Sequence, residues 1–175
     1  MCEKIVDEMM ELRGFPNKNV KNNRILYSNE NSKTEVYFHN SQKFGKNDFI
    51  IWAKDIEEDC ECYIIIINKP SPDALTSTQQ FSISSGIFIQ LFTHDELSFN
   101  PRDNILVPKH TLLSQQQKEE LLISLNISTK QLPKIKITDP QAKFLGAKIN
   151  DIIKIERNSF ILLNETIPFY RVVIE

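Results

Sequence analysis

The feature that most constrains the fold is an unbroken run of four isoleucines at residues 64–67. Tyr63 precedes the run, and polar residues flank it on both sides. A strand with one face in water alternates apolar and polar residues, whereas a continuous β-branched run is typical of a strand buried on both faces of a sheet. The sequence therefore predicts a strand in the centre of an α/β domain.

The N-terminal residues predict a helix that packs against such a domain. Ile5, Met9 and Leu12 recur at helical spacing, with Val6 widening the apolar stripe, and Gly14 follows as a stop signal. The next residues, 15–24, are mostly polar and predict a loop.

Strands and a crossover helix follow this loop. Residues 71–81 predict a short amphipathic helix, with Ser71 as its N-cap and Pro72 in its first turn. Apolar and β-branched stretches predict strands at residues 33–39, 48–54, 62–68 and 86–92. A helix, then strands, then a crossover helix is the order of an α/β domain, which we assign to residues 1–97.

A change of pattern near residues 98–104 predicts a linker, because Asn, Pro, Arg and Asp cluster there without apolar periodicity. Residues 105–175 then predict a small α+β domain. Ser114 and Gln117 form a capping box for a helix whose inward side chains are expected to be Leu121, Leu122 and Leu125.

A second, shorter helix is predicted in the same domain. Asp139 is its N-cap, Pro140 its first residue and Gly146 its stop signal. Residues 151–157 and 169–175 alternate apolar and polar side chains and predict an antiparallel pair of strands. We expect both helices to cover one face of that sheet.

Composition excludes several classes of protein. The chain has 175 residues and a formal net charge of −2, so non-specific phosphate neutralisation is not expected to dominate its binding. Three cysteines without a signal peptide indicate a reducing compartment. The longest apolar run is too short to span a bilayer, so no membrane association is expected.

Motifs for catalysis or metal binding are weak. Cys60 and Cys62 occupy alternate positions, which would put both sulfurs on one face of a strand, but no second pair completes a metal site. His39, His94 and His110 fall in separate predicted elements and are interpreted as surface or hydrogen-bonded residues.

Two further catalytic hypotheses fail. The four glycines are too far apart to form a phosphate-binding loop. Pro72-Asp73 is similar to the start of a metal-dependent nuclease motif, but the next predicted strand has neither the acid nor the lysine that the motif requires. We therefore predict no catalytic residue, no metal site and no cofactor.

Residues 105–175 carry a series of motifs that resembles a known family. The motifs are Val107-Pro108-Lys109-His110, Leu132-Pro133, Asp139-Pro140, Leu145-Gly146, Arg157 and Tyr170-Arg171. They stand in the order found in the C-terminal domain of the fifth-subunit family of DNA-directed RNA polymerases. The archaeal member of that family is called H, and the eukaryotic member is the fifth subunit shared by RNA polymerases I, II and III.

The first domain resembles the eukaryotic form more loosely, at residues 6–15, 67–75 and 87–97. The resemblance therefore extends to the two-domain form found in eukaryotes and large DNA viruses. Three departures from the family pattern are expected: a short segment after Gly14, which would trim the first domain, an insertion around residues 98–105, and a longer segment at residues 157–169 in place of a short turn.

The resemblance implies a non-catalytic structural subunit of a DNA-directed RNA polymerase, located in the nucleus, or in the cytoplasm or virion for a viral source. Its α+β domain would dock on the largest subunit, as a monomer within the complex. The residues implied in assembly are Pro108, Lys109, His110, Pro133, Asp139, Pro140, Gly146, Arg157, Tyr170 and Arg171.

The resemblance also implies that the first domain is a lower jaw beside downstream duplex DNA. The loop around Lys69, Ser71, Pro72 and Ala74 would lie nearest the duplex. Backbone N–H groups before a helix, together with a lysine, can contact a phosphate. We expect only weak DNA binding by the isolated chain, because its net charge is slightly negative.

Alternative interpretations remain for these residues. Pro133, Pro140 and Gly146 can serve the fold alone, and Ser71 with Pro72 can serve only to start a helix. Lys134, Lys136 and Lys143 are either partner contacts or a solvated face. The alternative function is a free-standing transcription regulator that binds polymerase through a C-terminal domain of this family type.

Overall fold

The computed structural model describes residues 2–56, 60–158 and 166–175. The chain divides into two compact units, Met1–Phe99 and Asn100–Glu175. The division falls within residues 98–104, the stretch whose composition predicts a linker.

The first unit is built on a five-stranded mixed sheet. Its elements in chain order are α1 (Cys2–Leu12), β1 (Asn17–Lys21), β2 (Arg24–Ser28), β3 (Lys33–Phe38), α2 (Lys46–Lys54), β4 (Cys62–Ile67), α3 (Pro72–Ser85) and β5 (Phe88–Thr93). The strands lie in sequence order; β1 to β3 are antiparallel, and β3 to β5 are parallel. Helices α2 and α3 are therefore the crossovers that parallel neighbours require.

The isoleucine run forms β4 and is buried on both faces, as predicted. On one face, Ile65 and Ile67 belong to a core with Phe49 and Trp52 of α2. On the other, α1 is tied to the sheet by a 2.8 Å hydrogen bond from Arg13 Nη2 to Gln90 Oε1 and a 2.6 Å bond from Tyr27 Oη to Asp7 Oδ1. The α/β class of this unit is confirmed.

The strand predicted at residues 48–54 is wrong, because these residues lie in α2. Asp48 accepts a 2.8 Å hydrogen bond from the Gly45 backbone N–H and so starts the helix. Phe49 and Trp52, three positions apart, are buried, whereas Ile51 is exposed. The apolar spacing is therefore helical, although the residue types favour a strand.

The loop predicted at residues 15–24 is also wrong, because these residues contain β1 and the start of β2. Asn22, with φ 52°, lies in the tight turn between the paired residues Lys21 and Arg24. A two-residue turn whose first residue has a positive φ suits a hairpin. Every residue of β1 is exposed, and the strand therefore needs no apolar side chains on one face. Its sequence, Asn-Lys-Asn-Val-Lys, accordingly lacks the apolar alternation that would indicate a strand.

Cys60 and Cys62 do not share a face of the sheet. Cys60 is buried in the core beside Tyr63 and α2. Cys62 and Ile64 are two positions apart in β4, so their side chains point to the same face of the sheet, the α1 side. Burial, the larger effect, lowers the pKa of Arg13 to about 10, and nearby Cys62 opposes this shift. The predicted placement of both sulfurs on one face is therefore wrong, because Cys60 precedes the first residue of the strand.

The second unit is built on a four-stranded mixed sheet. Its elements are β6 (Lys109–Leu112), α4 (Gln115–Leu125), a 3₁₀ turn (Thr129–Gln131), β7 (Lys134–Lys136), α5 (Pro140–Leu145), β8 (Ile152–Asn158) and β9 (Thr166–Ile174). The strand order is β6-β8-β9-β7, and only the β7–β9 pair is parallel. The predicted antiparallel pair at the end of the chain and the α+β class are confirmed.

The two helices of this unit cover opposite faces of the sheet, so the expectation that both lie on one face is wrong. Ile153 and Val173 pack with residues of α5. Their strand neighbours Ile152 and Val172 pack with Leu121 and Leu122 of α4. Successive side chains of a strand point to opposite faces, so the two cores are separated by the sheet itself.

The predicted helix signals in this unit are confirmed. Ser114 Oγ accepts a hydrogen bond from the Gln117 N–H, and Asp139 Oδ1 accepts a 2.9 Å bond from the Gln141 N–H. Gly146 ends α5 with φ 71°. The inward position of Leu125 is wrong, since its side chain is exposed near the end of α4.

Gly146→Val should destabilise the second unit by about 2 kcal/mol, because a β-branched residue is strained at a positive φ. Chemical denaturation of the full chain, followed by far-ultraviolet circular dichroism, measures this change. Gly146→Asn is the matched control, since asparagine tolerates the left-handed region. Equal stability of the valine and asparagine variants would contradict the proposed strain.

Candidate functional site

Five of the predicted assembly residues meet on or beside the face of the second sheet that α5 covers. His110 of β6 is in register with Ile155 of β8, which is in register with Phe169 of β9. Arg157 lies two positions after Ile155, and Arg171 lies two positions after Phe169, so their side chains point to this same face. Pro108 supplies its carbonyl to His110, and Asp139 lies at the start of α5.

His110 is the most buried polar group in this cluster, with 9% of its surface exposed. Its Nδ1 lies 2.7 Å from the Pro108 carbonyl oxygen, so Nδ1 carries the proton in that hydrogen bond. Burial is the largest cause that lowers the His110 pKa. The Pro108 bond and the Asp139 carboxylate oppose this shift, while Arg157 and Arg171 add to it. Burial and two nearby cations therefore favour the neutral form of His110.

The arginines lie on an exposed apolar surface. The Arg157 guanidinium carbon is 5.0 Å from the centre of the Phe169 ring, within reach of a cation–π contact. Arg171 Nη1 donates a 3.1 Å hydrogen bond to the Lys134 carbonyl. Ile167 and Phe169 are each 45% exposed. We call His110, Arg157, Ile167, Phe169 and Arg171 the α5-side patch.

Other predicted assembly residues lie elsewhere in the unit. Tyr170 faces α4 and packs with Leu132. The exposed Pro133 accepts a 2.9 Å hydrogen bond from the Val172 N–H through its carbonyl. Lys109 is exposed, and its Nζ lies 3.9 Å from Glu156. The structure therefore does not bring these three residues to the α5-side patch.

Pro140 and Gly146 bound α5 and serve its geometry. Pro140 is exposed at the first helical position, and Gly146 occupies a left-handed C-terminal position. Lys134 and Lys136 are exposed, and Lys143 is half-buried. The structure thus gives Asp139, Pro140 and Gly146 a local role in the fold, whatever else they contact.

The predicted loop of the first unit is surface structure with a capped helix behind it. Lys69 is exposed, and its carbonyl accepts a 3.0 Å hydrogen bond from the Phe44 N–H. Ser71 Oγ accepts from the Ala74 N–H at 3.2 Å, which confirms Ser71 as the N-cap. Ala74 is fully buried, so its side chain offers no surface to a ligand.

Two residues of the α5-side patch are not predicted from the sequence. Ile167 and Phe169 alternate with Thr166 and Pro168, which is a usable strand signal. They lie, however, in the stretch 157–169 that departs from the family pattern. Residues 159–165, where most of the longer segment is expected, lie outside the described residues.

The described residues contain neither a candidate metal cluster nor a helix suited to a membrane. Across residues 2–56, 60–158 and 166–175, no group of three or more His, Cys, Asp or Glu side chains could hold a metal ion. In the same part of the chain, no helix is both long and apolar enough to cross a membrane.

Comparison with known proteins identifies the second unit's class. Residues 99–173 match the family model for the C-terminal domain of RNA polymerase Rpb5. The match begins at residue 99, within the stretch 98–104 whose composition predicts a linker.

Archaeal relatives match the same half of the chain. DNA-directed RNA polymerase subunit Rpo5 of Archaeoglobus fulgidus is 50% identical over 78 residues, which cover 45% of this chain and all of that protein. The subunit of the same name from Methanothrix thermoacetophila is 46% identical over 77 residues, or 44% of this chain and 96% of that protein.

A eukaryotic relative extends further. The subunit rpabc1 of DNA-directed RNA polymerases I, II and III from Dictyostelium discoideum is 32% identical over 127 residues. That alignment covers 71% of this chain and 64% of the relative. Its 127 residues exceed the 76 residues of the second unit (175 − 99), so the similarity extends into the first unit. The chain belongs to the fifth-subunit family of DNA-directed RNA polymerases.

His110 should titrate below the ordinary histidine pKa of about 6.5 in an NMR titration of the folded chain, because burial favours its neutral form. A folded-state pKa below the unfolded value stabilises the fold above about pH 6.5, and this contribution is lost as the pH falls through the folded-state pKa. Arg171→Gln should raise the His110 pKa by removing a nearby cation.

His110→Gln should correspondingly reduce the loss of stability between about pH 7.5 and pH 5. His94→Gln, at a half-buried histidine in the first unit, is the control. An ordinary His110 pKa, unchanged by Arg171→Gln, would contradict the proposed electrostatic environment.

Proposed function

We propose that this chain is a non-catalytic structural subunit of a DNA-directed RNA polymerase and acts in transcription. One observation carries the proposal: the second unit corresponds to the full length of an archaeal Rpo5 subunit at 50% identity. A polymerase subunit of that length has little beyond the sheet and two helices of the second unit. Nucleotide addition then belongs to the assembled complex, and we assign no catalytic residue to this chain.

The second unit is the assembly half in this proposal, and the largest polymerase subunit is its partner. The α5-side patch offers two exposed apolar side chains beside two arginines. Aromatic residues and arginine are the types that contribute most to protein interfaces. The strands that carry the patch are held between two helices, so little ordering is needed when the partner binds.

The first unit is the jaw half in this proposal, near downstream duplex DNA. Support for a phosphate contact is confined to Lys69, which is exposed. The helix behind it offers few N–H groups, because Pro72 has none and Ser71 already accepts from Ala74 and Leu75. Asp73 in the first turn adds a negative charge that a phosphate would avoid.

The remaining parts of the proposal concern the setting of the chain. It would be a monomer within a polymerase, without a membrane or cofactor. A nuclear location follows for a eukaryotic source, as the relationship to the subunit of polymerases I, II and III suggests. A viral source would place it in the cytoplasm or virion.

Residues 100–175, tagged and expressed without the first unit, should copurify stoichiometrically with the largest polymerase subunit through high-salt washes. Residues 1–97 should not. The family resemblance alone would place the start of the fragment at residue 105, but the Gln141 side chain donates a 2.8 Å hydrogen bond to the Pro101 carbonyl. A fragment that begins at residue 100 keeps this bond and is better suited to the pull-down.

The full-length tagged chain is the positive control for this experiment. Loss of the full-length chain from the polymerase in high salt would indicate a free-standing regulator. Retention of residues 1–97 with loss of residues 100–175 would show that the assembly and jaw roles are reversed.

A further inference from the structure

The outer edge of β9 is open for more than half of the strand's length. On one side, β9 pairs with β8 from Thr166 to Val172. On the other, β7 pairs only with the segment from Val172 to Ile174. Among the described residues, no strand pairs with the outer edge of residues 166–171. At about 3.4 Å per residue, this edge is about 20 Å long.

The hydrogen-bond pattern shows which backbone groups face outward. The Val172 N–H donates to the Pro133 carbonyl on the β7 side, whereas the Val173 N–H donates to the Asp151 carbonyl on the β8 side. Backbone direction alternates along a strand, so the N–H groups of Thr166 and Tyr170 point outward, away from β8. Pro168 lies two positions from each of these residues, so its backbone nitrogen also points outward. Because proline has no N–H to donate, its place on the outer edge removes no hydrogen bond to β8.

The side chains beside this edge are apolar and basic. Thr166, Ile167, Pro168 and Phe169 are all exposed. Ile167, Phe169 and Arg171 point to the α5 side, where Arg157 also lies. Residues 166–171 include no carboxylate. An uncovered edge strand is prone to aggregation, and natural proteins prevent this by covering the edge or by placing charge or proline on it. Pro168 interrupts the row of outward N–H groups here, so the donors left for a partner are those of Thr166 and Tyr170.

We propose that the outer edge of β9 receives an extended segment of the largest polymerase subunit as an added strand. This inference rests on the proposed function and states how docking occurs. The added strand would place apolar side chains against Ile167 and Phe169. A carboxylate on the same face would meet Arg171, because opposite charges on neighbouring strands attract. Such strand addition obtains affinity from the backbone and specificity from alternate side chains.

A second copy of this chain fits the edge less well. An antiparallel pair of identical edges centred on Pro168 would align two residues that have no N–H group. Both central hydrogen bonds would be lost. It would also leave Arg157 and Arg171 of each copy without a carboxylate from residues 166–171 of the other. A partner with a different sequence would lose only the one hydrogen bond that Pro168 itself cannot donate, and it could supply a carboxylate to the arginines.

Amide hydrogen exchange of the full chain, alone and in the purified polymerase, tests the proposal without a mutation. The Thr166 and Tyr170 amides should exchange rapidly in the isolated chain and at least about 100-fold more slowly in the complex. The Ile167 and Phe169 amides, which face β8, should be protected in both states. Unchanged exchange of Thr166 and Tyr170 in a complex that contains the chain would overturn the strand-addition proposal alone.

A matched pair of substitutions provides the second test. Thr166→Pro removes one outward N–H, whereas Thr166→Val keeps it and has a similar side-chain shape. In competition with the wild-type chain for the coexpressed largest subunit, Thr166→Pro should bind about tenfold more weakly, a loss of about 1.4 kcal/mol, and Thr166→Val should bind normally.

The outcomes separate the two proposals. Failure of the wild-type chain to bind any polymerase subunit would contradict the proposed function. Equal binding by folded Thr166→Pro and Thr166→Val, or protection of the Thr166 and Tyr170 amides in a dimer of the isolated chain, would overturn strand addition while the subunit role stands.

Discussion

Each sheet of this protein has central strands that are buried on both faces, and the rest of the structure depends on that constraint. In the first unit the isoleucine run of β4 requires α1 on one side and α2 with α3 on the other. In the second unit, Ile152 and Ile153 point to opposite cores beneath α4 and α5. Removal of apolar side chains from water is the main stabilising contribution in such cores.

Coverage of both faces limits where a partner can bind. Large exposed apolar side chains in the described part of the second unit lie in three places: in loops, near the end of α4 and along β9. They are Ile105, Leu106 and Ile149 in loops, Ile123 and Leu125 in α4, and Ile167 and Phe169 in β9. Arg157 and Arg171 lie with Ile167 and Phe169, and burial lowers the pKa of the neighbouring His110. A rigid sheet thus presents an apolar and basic surface beside open backbone groups, a combination that suits a peptide strand better than a small molecule.

Local signals of element type are the most reliable guide from sequence to fold. The continuous run of β4, the caps Ser71, Ser114 and Asp139, and the stop at Gly146 each depend on a few neighbouring residues, and the structure confirms them. Helix α2 escapes prediction because β-branched and aromatic residues favour strands, while its capping box and three-residue spacing favour a helix. Strand β1 escapes prediction because all its side chains are exposed.

Relationships between distant residues are harder to predict. Motif resemblance selects His110, Asp139, Arg157 and Arg171 but cannot show that they lie near one another, since their proximity depends on the strand order β6-β8-β9. The placement of α4 and α5 on opposite faces depends on which helix packs against each of the two faces of the strands. Adjacent apolar residues, Ile152 with Ile153 and Val172 with Val173, give both faces of the sheet an apolar side chain, so the sequence fits either arrangement.

Site-specific photo-crosslinking in the assembled polymerase tests the central claim most directly. A photoreactive phenylalanine analogue at position 169 should crosslink to the largest subunit, because the second unit is the assembly half. The same analogue at position 83, where Ile83 is 84% exposed on α3 of the first unit, is the matched comparison. Crosslinks to the largest subunit from position 83 but not from position 169 would contradict the account.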